Sequence, residues 1–131
     1  MPKEIENEVD IKRLVDAFYS RVREDDLLRP VFEEVAGIDW ESHLPRMYAF
    51  WETVLLNRAA YKGNPVLKHV NLARKTTLSE THFTQWLRLW NQTVDQLFQG
   101  PRAQVAKERA SMMSTIMRFK CDQTNLQITA K

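Results

Sequence analysis

The 131-residue sequence has one cysteine, three glycines and no long apolar run, and each shortage excludes a class of protein. A single cysteine, Cys121, excludes an internal disulfide, a cysteine-based zinc site and attachment of a prosthetic group through Cys-x-x-Cys-His. No Gly-rich phosphate-binding loop is present. No apolar stretch approaches the ~18 residues needed to cross a membrane. With 44% apolar and 27% charged residues, the chain still has the composition of a folded globular domain.

Charges of the two signs are nearly balanced and interspersed. Nineteen Lys and Arg residues against seventeen Asp and Glu residues give no electrostatic reason to bind nucleic acid or an anionic membrane. Residues 1–4 lack the apolar core of a signal peptide, so we expect a cytoplasmic protein. The length predicts one domain over residues 1–131, with flexible ends at 1–7 and 122–131.

Apolar residues recur at intervals of three and four along most of the chain, and no segment shows the sustained alternation of a strand. This spacing predicts an all-α fold with four longer helices and short turns between them. The third helix has a clear start and stop, because Thr77-Leu78-Ser79-Glu80 has capping-box spacing and Gly100-Pro101 ends a helix. The other long helices are predicted over about 8–24, 43–58 and 102–120. The last of them is predicted to bury Ala106, Ala110, Met113, Ile116 and Met117.

The second helix carries a histidine on an apolar face and a proline near its start. Proline is tolerated only in the first helical turn, which leaves two alternatives. Either Ser42 caps the helix with Pro45 at the third helical position, or the helix begins at Asp39 and kinks. One face of this helix holds His43, Met47, Phe50 and Val54. Core packing explains such a face, but a histidine at its edge also suits a polar function.

The stretch 64–72 holds a histidine in an apolar frame. An asparagine cap and a proline at the first helical position predict a short helix, with His69 among Val and Leu side chains. A lone histidine on an apolar face is more often a hydrogen-bonded core residue than a ligand. The chain has no His-Glu-x-x-His, Glu-x-x-His, EF-hand or nucleophile-elbow motif. The residues left to explain are His69, His43, Tyr19 and many aromatic side chains. An apolar, aromatic pocket with a histidine ligand and a few polar groups is what a non-covalent haem requires.

The order of these residues resembles that of the group III truncated haemoglobins, which are compact globins with a two-over-two helical sandwich. The resemblance runs from about Ile11 to Phe119 and depends on the order and spacing of several segments. Those segments are Phe18-Tyr19, Pro30-Val31-Phe32, His43 with Phe50-Trp51, Tyr61 with Gly63-Asn64-Pro65, Leu67 to Leu72, and Trp86-Leu87-Arg88-Leu89-Trp90.

The resemblance implies which residues serve a bound haem b, iron protoporphyrin IX. The proximal ligand to the iron would be His69. The distal side, where small ligands bind, would be lined by polar ring side chains: Tyr19, His43 and Trp86. Apolar side chains would pack around the porphyrin and the distal cavity: Phe32, Met47, Phe50 and Trp51. The haem propionates would pair with Arg46 and Lys68, unless these two are ordinary solvated cations.

The resemblance also implies that the protein binds O2, NO, CO, cyanide or peroxide at an open iron site. A tyrosine hydroxyl and an indole N–H would retain a polar ligand strongly. Strong retention suits detoxification of NO or peroxide, with electrons from an unidentified reductase, better than oxygen delivery. One alternative is activity like that of an NO dioxygenase or a peroxidase. The others are a gas-binding or sensing module without turnover, and a helical interaction protein that kept only the globin shape.

Overall fold

Helices dominate the part of the chain that the structure, a computed structural model, describes: residues 2–35, 39–56 and 80–129. No strand occurs among these residues, and an isolated parallel bridge joins Lys3 to Phe98. None of the described helices is long and apolar enough to cross a membrane. The all-α prediction is confirmed. The elements are α1 (Glu8–Val22), a π-helical turn (Val31–Val35), α2 (Trp40–Leu56), α3 (Glu80–Leu97) and α4 (Pro101–Thr129).

The helices surround one main apolar core. α1 lies against α2 and α3, while α4 lies against α3 and α2. The centre of the core is aromatic: Trp51 and Trp90 stack with ring centroids 4.4 Å apart, and Phe18 meets Trp90 edge-on at 5.1 Å. The buried Trp90 indole N–H donates to the Ala106 carbonyl at 3.1 Å, so this ring is satisfied as well as packed. This packing fixes α1 and α3 relative to each other.

α1 forms where the sequence predicts it. Asn7 caps the helix by accepting the Asp10 N–H at 3.1 Å, and acidic side chains occupy the first turn, where the helix dipole favours them. The helix ends at Val22, two residues earlier than predicted. Its predicted apolar stripe is buried throughout: Ile11, Leu14, Val15, Phe18, Tyr19 and Val22. Burial of this stripe sets the rotation of the helix and directs Tyr19 inward.

α2 begins at Trp40, so the alternative with Ser42 as the cap is wrong. Asp39 is the cap: its carboxylate accepts the N–H two residues on at 3.2 Å, and its carbonyl accepts the His43 N–H at 2.9 Å. Ser42 lies in the first turn, where its hydroxyl donates to the Asp39 carbonyl at 3.2 Å. Pro45 is therefore inside the helix rather than at its third position. The earlier start places Trp40 one turn before His43 on the same helix.

The turn between α3 and α4 coincides with the predicted Gly100-Pro101 stop. Gly100 has φ of +118°, a conformation that other residues rarely adopt, and a Cβ there would lie 2.5 Å from a Glu4 carboxylate oxygen. That carboxylate accepts the N–H of Arg102 at 3.1 Å and of Ala103 at 3.3 Å. Glu4 thus caps α4 from the opposite end of the chain, a contact that no local pattern predicts.

α4 is longer than predicted, and all of its predicted buried residues except Ile116 are buried or half-buried. It continues to Thr129 because no glycine or proline interrupts residues 121–129. Ile116 is 46% exposed, which makes its predicted burial wrong, whereas Met117 is buried. Adjacent helical residues point about 100° apart, so only one of the two can follow the buried line of α4. That line consists of Ala103, Ala106, Ala110, Ser114 and Met117.

Some predictions about the chain are not tested by the described residues. The short helix predicted in 64–72 lies outside them, and so do residues 77–79 of the capping box. The single-domain boundaries and the flexible ends at 1–7 and 122–131 stay predictions. Within the first of these ends, Ile5 is fully buried and the Lys3 carbonyl accepts the Gln99 N–H at 2.8 Å.

Asp10 ties this N-terminal segment to α1. Its carboxylate accepts hydrogen bonds from Lys3 Nζ at 2.7 Å and from the Glu6 N–H at 2.9 Å. Burial by itself would raise the pKa of Asp10, but the Lys3 ammonium and the backbone groups of Glu6 and Asn7 outweigh it and lower that pKa. The ionised form is therefore the one that stabilises the fold.

Asp10→Asn is expected to lower the free energy of unfolding near neutral pH by about 1.5–3 kcal/mol, because it removes a charge-assisted hydrogen-bond acceptor. A folded-state pKa below the unfolded value makes the wild-type contribution fully present above the unfolded pKa. It is lost as the pH falls through the folded pKa, so the two proteins should converge in acid. Urea denaturation at neutral and acidic pH measures this. Asp26→Asn, at an exposed carboxylate, is the control, and an unchanged difference at both pH values would contradict the prediction.

Candidate functional site

Tyr19 is the polar group at the centre of the candidate site. It lies in the buried stripe of α1 and is 8% exposed. Burial raises the pKa of the Tyr19 phenol above its usual range, so the hydroxyl is protonated and able to donate under all physiological conditions. Tyr48 differs because its hydroxyl is engaged with Asp16, and burial together with that hydrogen bond raises its pKa. The Tyr19 hydroxyl is therefore the better candidate to bind a ligand.

Three ring side chains surround Tyr19 and complete what we call the distal cluster: Tyr19, Phe32, Trp40 and His43. Ring centroids of His43, Trp40 and Phe32 lie 5.1, 5.5 and 6.1 Å from that of Tyr19, all at steep angles. Trp40 is also edge-on to His43 at 5.7 Å and stacks on Phe32 at 6.1 Å. These edge-to-face contacts restrict the rotamers of the phenol and the imidazole.

Trp86 is the site residue contributed by α3. Its half-buried ring packs edge-on against Phe18, with centroids 5.8 Å apart, and Phe18 is 4.9 Å from its neighbour Tyr19. The structure thus brings Tyr19 and His43 into direct contact and places Trp86 at the same end of the core through Phe18. A phenol O–H and an indole N–H are offered by two helices that pack against each other.

The other predicted lining residues of α2 fall into two groups. Met47 and Phe50 are half-buried at the edge of the apolar core. Trp51 is 4% exposed, packs edge-on to Phe50 at 5.1 Å and stacks on Trp90. Of the three, Met47 and Phe50 retain apolar surface for a bound group, while the observed contacts of Trp51 are with the core.

Of the two predicted propionate-binding cations and the predicted iron ligand, the structure describes one, Arg46. Arg46 is exposed on α2. Lys68 and the predicted iron ligand His69 lie outside the described residues. The roles assigned to these three residues stay predictions, and so do the haem and ligand contacts assigned to the other site residues.

Trp40 is a member of the distal cluster that the sequence analysis did not identify. The favoured start of the second helix, near residue 43, left Trp40 in the preceding connection. A signal was available: Trp40 and His43 are three residues apart, and a helix starting at Asp39 puts them on the same face. Asp39, read as the helix cap, identifies Trp40 as a residue on the same face as His43.

A helical core with a buried phenol, an imidazole and an indole at one end is the arrangement expected of the ligand-binding side of a globin. The chain belongs to the bacterial-like globin family, whose family model matches residues 3–124. Globins hold a haem and bind small gaseous ligands such as O2. This chain is therefore a haem-binding and gas-binding globin.

Similarity to individual proteins points to one subgroup of globins. The chain is 29% identical over 112 residues to Group 3 truncated hemoglobin ctb of Campylobacter jejuni, a match that spans 83% of this chain and 86% of the relative. The crystal structure of group III truncated hemoglobin from Campylobacter jejuni superposes with a TM-score of 0.78 at 27% identity, covering 90% of this chain and 93% of the other. The resemblance to group III truncated haemoglobins and the globin-like fold are confirmed.

The described residues fit a haem on its distal side. A porphyrin is a broad apolar ligand that needs apolar walls and a few well-placed polar groups. Phe32, Met47 and Phe50 offer partly buried apolar surface, and the distal cluster adds the Tyr19 phenol and the His43 imidazole. This combination can pack against a porphyrin and direct hydrogen bonds toward one small ligand.

Proposed function

We propose that this globin holds a non-covalent haem b through His69 and functions in redox detoxification of NO, peroxide or a related small species. The observation that supports this best is the distal cluster, in which a buried, protonated Tyr19 lies 5.1 Å, ring to ring, from His43. A non-covalent cofactor is supported by the single cysteine, since Cys-x-x-Cys-His is impossible. The haem, when bound, supplies iron with an open coordination position for O2, NO, CO, cyanide or peroxide.

The distal donors of the chain determine how long a polar ligand stays. Tyr19 and Trp86 each offer one neutral donor from an interior helical face. A hydrogen bond to a polar ligand in a dry pocket is worth on the order of 1–3 kcal/mol, or roughly five- to 150-fold in affinity. Met47 and Phe50 would add partly buried apolar surface to this pocket. Slow release of O2 suits a protein that consumes its ligand.

The proposed reactions need an electron source. Combining NO with O2 to give nitrate takes up one electron, and reducing H2O2 to two water molecules takes up two electrons and two protons. The protein must therefore be re-reduced after turnover, and we expect a reductase as its partner. Arg46 and Lys68 would hold the propionates and so orient the porphyrin.

Absorption spectroscopy and rapid mixing test this proposal. A Soret band that shifts on reduction and on CO binding, with the pyridine haemochrome of haem b, is the expected first result. Stopped-flow mixing of the oxygenated protein with NO should give stoichiometric nitrate. Alternatively, the protein should consume added peroxide when a reductant is present. A protein that binds O2 but does neither is a gas-binding or sensing module without turnover. Failure to bind hemin would overturn the whole proposal.

His43 is expected to control ligand association. It is half-buried near the start of α2, and Pro45, which lacks an N–H, weakens the backbone hydrogen bonding of this segment. We predict that His43→Leu changes the association rates of CO and O2 by about fivefold but changes O2 dissociation less, because the phenol and indole remain. Flash photolysis and ligand displacement measure the two rates. His82→Leu on α3 is the control, and equal association rates in wild type and His43→Leu would contradict gating.

A further inference from the structure

Trp40 contacts every other member of the distal cluster and also borders an open cleft. Its ring meets Tyr19, His43 and Phe32 at centroid distances of 5.5, 5.7 and 6.1 Å. It also lines a cavity of about 430 Å³ between α1 and α2, together with Leu44 and other residues of the two helices. The Trp40 ring therefore packs against His43 and also lines this cleft.

An ion pair holds Trp40 from outside the cluster. The Arg23 guanidinium carbon lies 5.0 Å from the Trp40 ring centroid, and Arg23 Nε lies 3.3 Å from Glu33 Oε1. Arg23 directly follows α1 and Glu33 belongs to the π-helical turn, so the pair, which we call the Arg23 latch, bridges the end of α1 and the connection to α2. Both contacts are partly exposed and individually weak, so the latch can open.

We propose that Trp40 is a positioning residue that holds His43 inside the distal cluster, and that the Arg23 latch determines how readily the Trp40 ring moves. His43 is edge-on to both Tyr19 and Trp40, at 82° and 81°, so movement of the Trp40 ring removes one of the two ring contacts that position the imidazole. The cleft provides the space for that movement, and the guanidinium on the ring opposes it. The rate at which ligands pass His43 then depends on residues that touch no ligand. This inference rests on the proposed ligand pocket.

Ligand association in the haem-loaded protein is the first readout. Trp40→Ala should speed CO association by about tenfold, and Arg23→Gln by about threefold, in keeping with the weak interactions removed. Trp40→Phe keeps an aromatic ring against His43 and should stay within about twofold of wild type. Two matched controls should also stay near wild type. They are Arg29→Gln, which removes an exposed cation from the same connection, and Tyr48→Phe, which changes another wall of the cleft.

The position of His43 is the second readout, and it needs no ligand. Nuclear magnetic resonance of the His43 imidazole C–H groups in the haem-free protein should show shifts caused by the rings of Tyr19 and Trp40. Arg23→Gln should move these resonances toward free-histidine values, and Trp40→Ala should move them further. Arg29→Gln should leave them unchanged. Arg23→Gln and Trp40→Phe keep the test decisive even if Trp40→Ala does not fold.

Unchanged CO association and unchanged His43 resonances in both Arg23→Gln and Trp40→Ala would overturn the inference. Faster O2 release in Tyr19→Phe, found together with that result, would leave the proposed ligand pocket standing. A protein that failed to bind haem would refute the proposed function instead, and the resonances of the haem-free protein would still decide the role of Trp40.

Discussion

Replacing His69 with alanine is expected to abolish tight haem binding. In the proposed site His69 forms the only bond between the chain and the iron, while the other residues contribute apolar packing and ion pairs. Haem transfer to an excess of an acceptor protein should become faster by about 100-fold or more, which corresponds to ~2.7 kcal/mol. The ferrous iron–histidine band in resonance Raman spectra should disappear.

His82→Ala is the matched control, because it removes a half-buried histidine from α3 and should leave haem retention unchanged. Added imidazole should bind the iron of His69→Ala and restore a five-coordinate or CO-bound spectrum. A variant that kept both the wild-type ferrous–CO spectrum and the wild-type iron–histidine band would show that another residue is the ligand.

Tyr19→Phe and Trp86→Phe are each expected to raise the O2 dissociation rate by about tenfold or more, or ~1.4 kcal/mol or more of lost barrier. Both donors belong to rings whose orientation is fixed by packing: Tyr19 in the distal cluster, and Trp86 against Phe18. Preorganised donors lose little entropy when they form a hydrogen bond in a desolvated pocket. Stopped-flow displacement of O2 by CO measures the rate.

Carbon monoxide is less polar when bound, so its dissociation should respond less than that of O2 to either substitution. The double variant should show less than the sum of the two effects, because both donors reach one small ligand. Tyr48→Phe, which removes a hydroxyl engaged with Asp16, should leave O2 release unchanged. If His43→Leu accelerated O2 release more than either substitution, the distal roles would be reversed.

Local sequence patterns predicted most of the helical structure. The stripe of α1 and its Asn7 cap predicted both the helix and the buried face that carries Tyr19. The glycine at position 100 predicted the end of α3 because its backbone conformation is unfavourable for other residues. These features depend on interactions within a few residues, which a sequence pattern records directly.

Long-range packing decided what the patterns left open. The capping of α4 by Glu4 was not predicted, and the exposure of Ile116 differs from the local prediction. Each depends on neighbours distant in sequence: Glu4 lies 98 positions from the Arg102 N–H that it accepts. Helical periodicity gives the direction of a side chain around its own axis, but it does not give the element which that side chain meets.

For the candidate site, too, the sequence determined some features and the tertiary structure decided others. The sequence by itself determined the globin-like order of Tyr19, His43 and Trp86, because each occupies a recognisable helical segment. Only the tertiary structure decided that His43 contacts both Tyr19 and Trp40 and that Arg23 covers the Trp40 ring. The physical reason is that these contacts form where α1, the π-helical turn and α2 converge, and that convergence results from burial of the whole aromatic core.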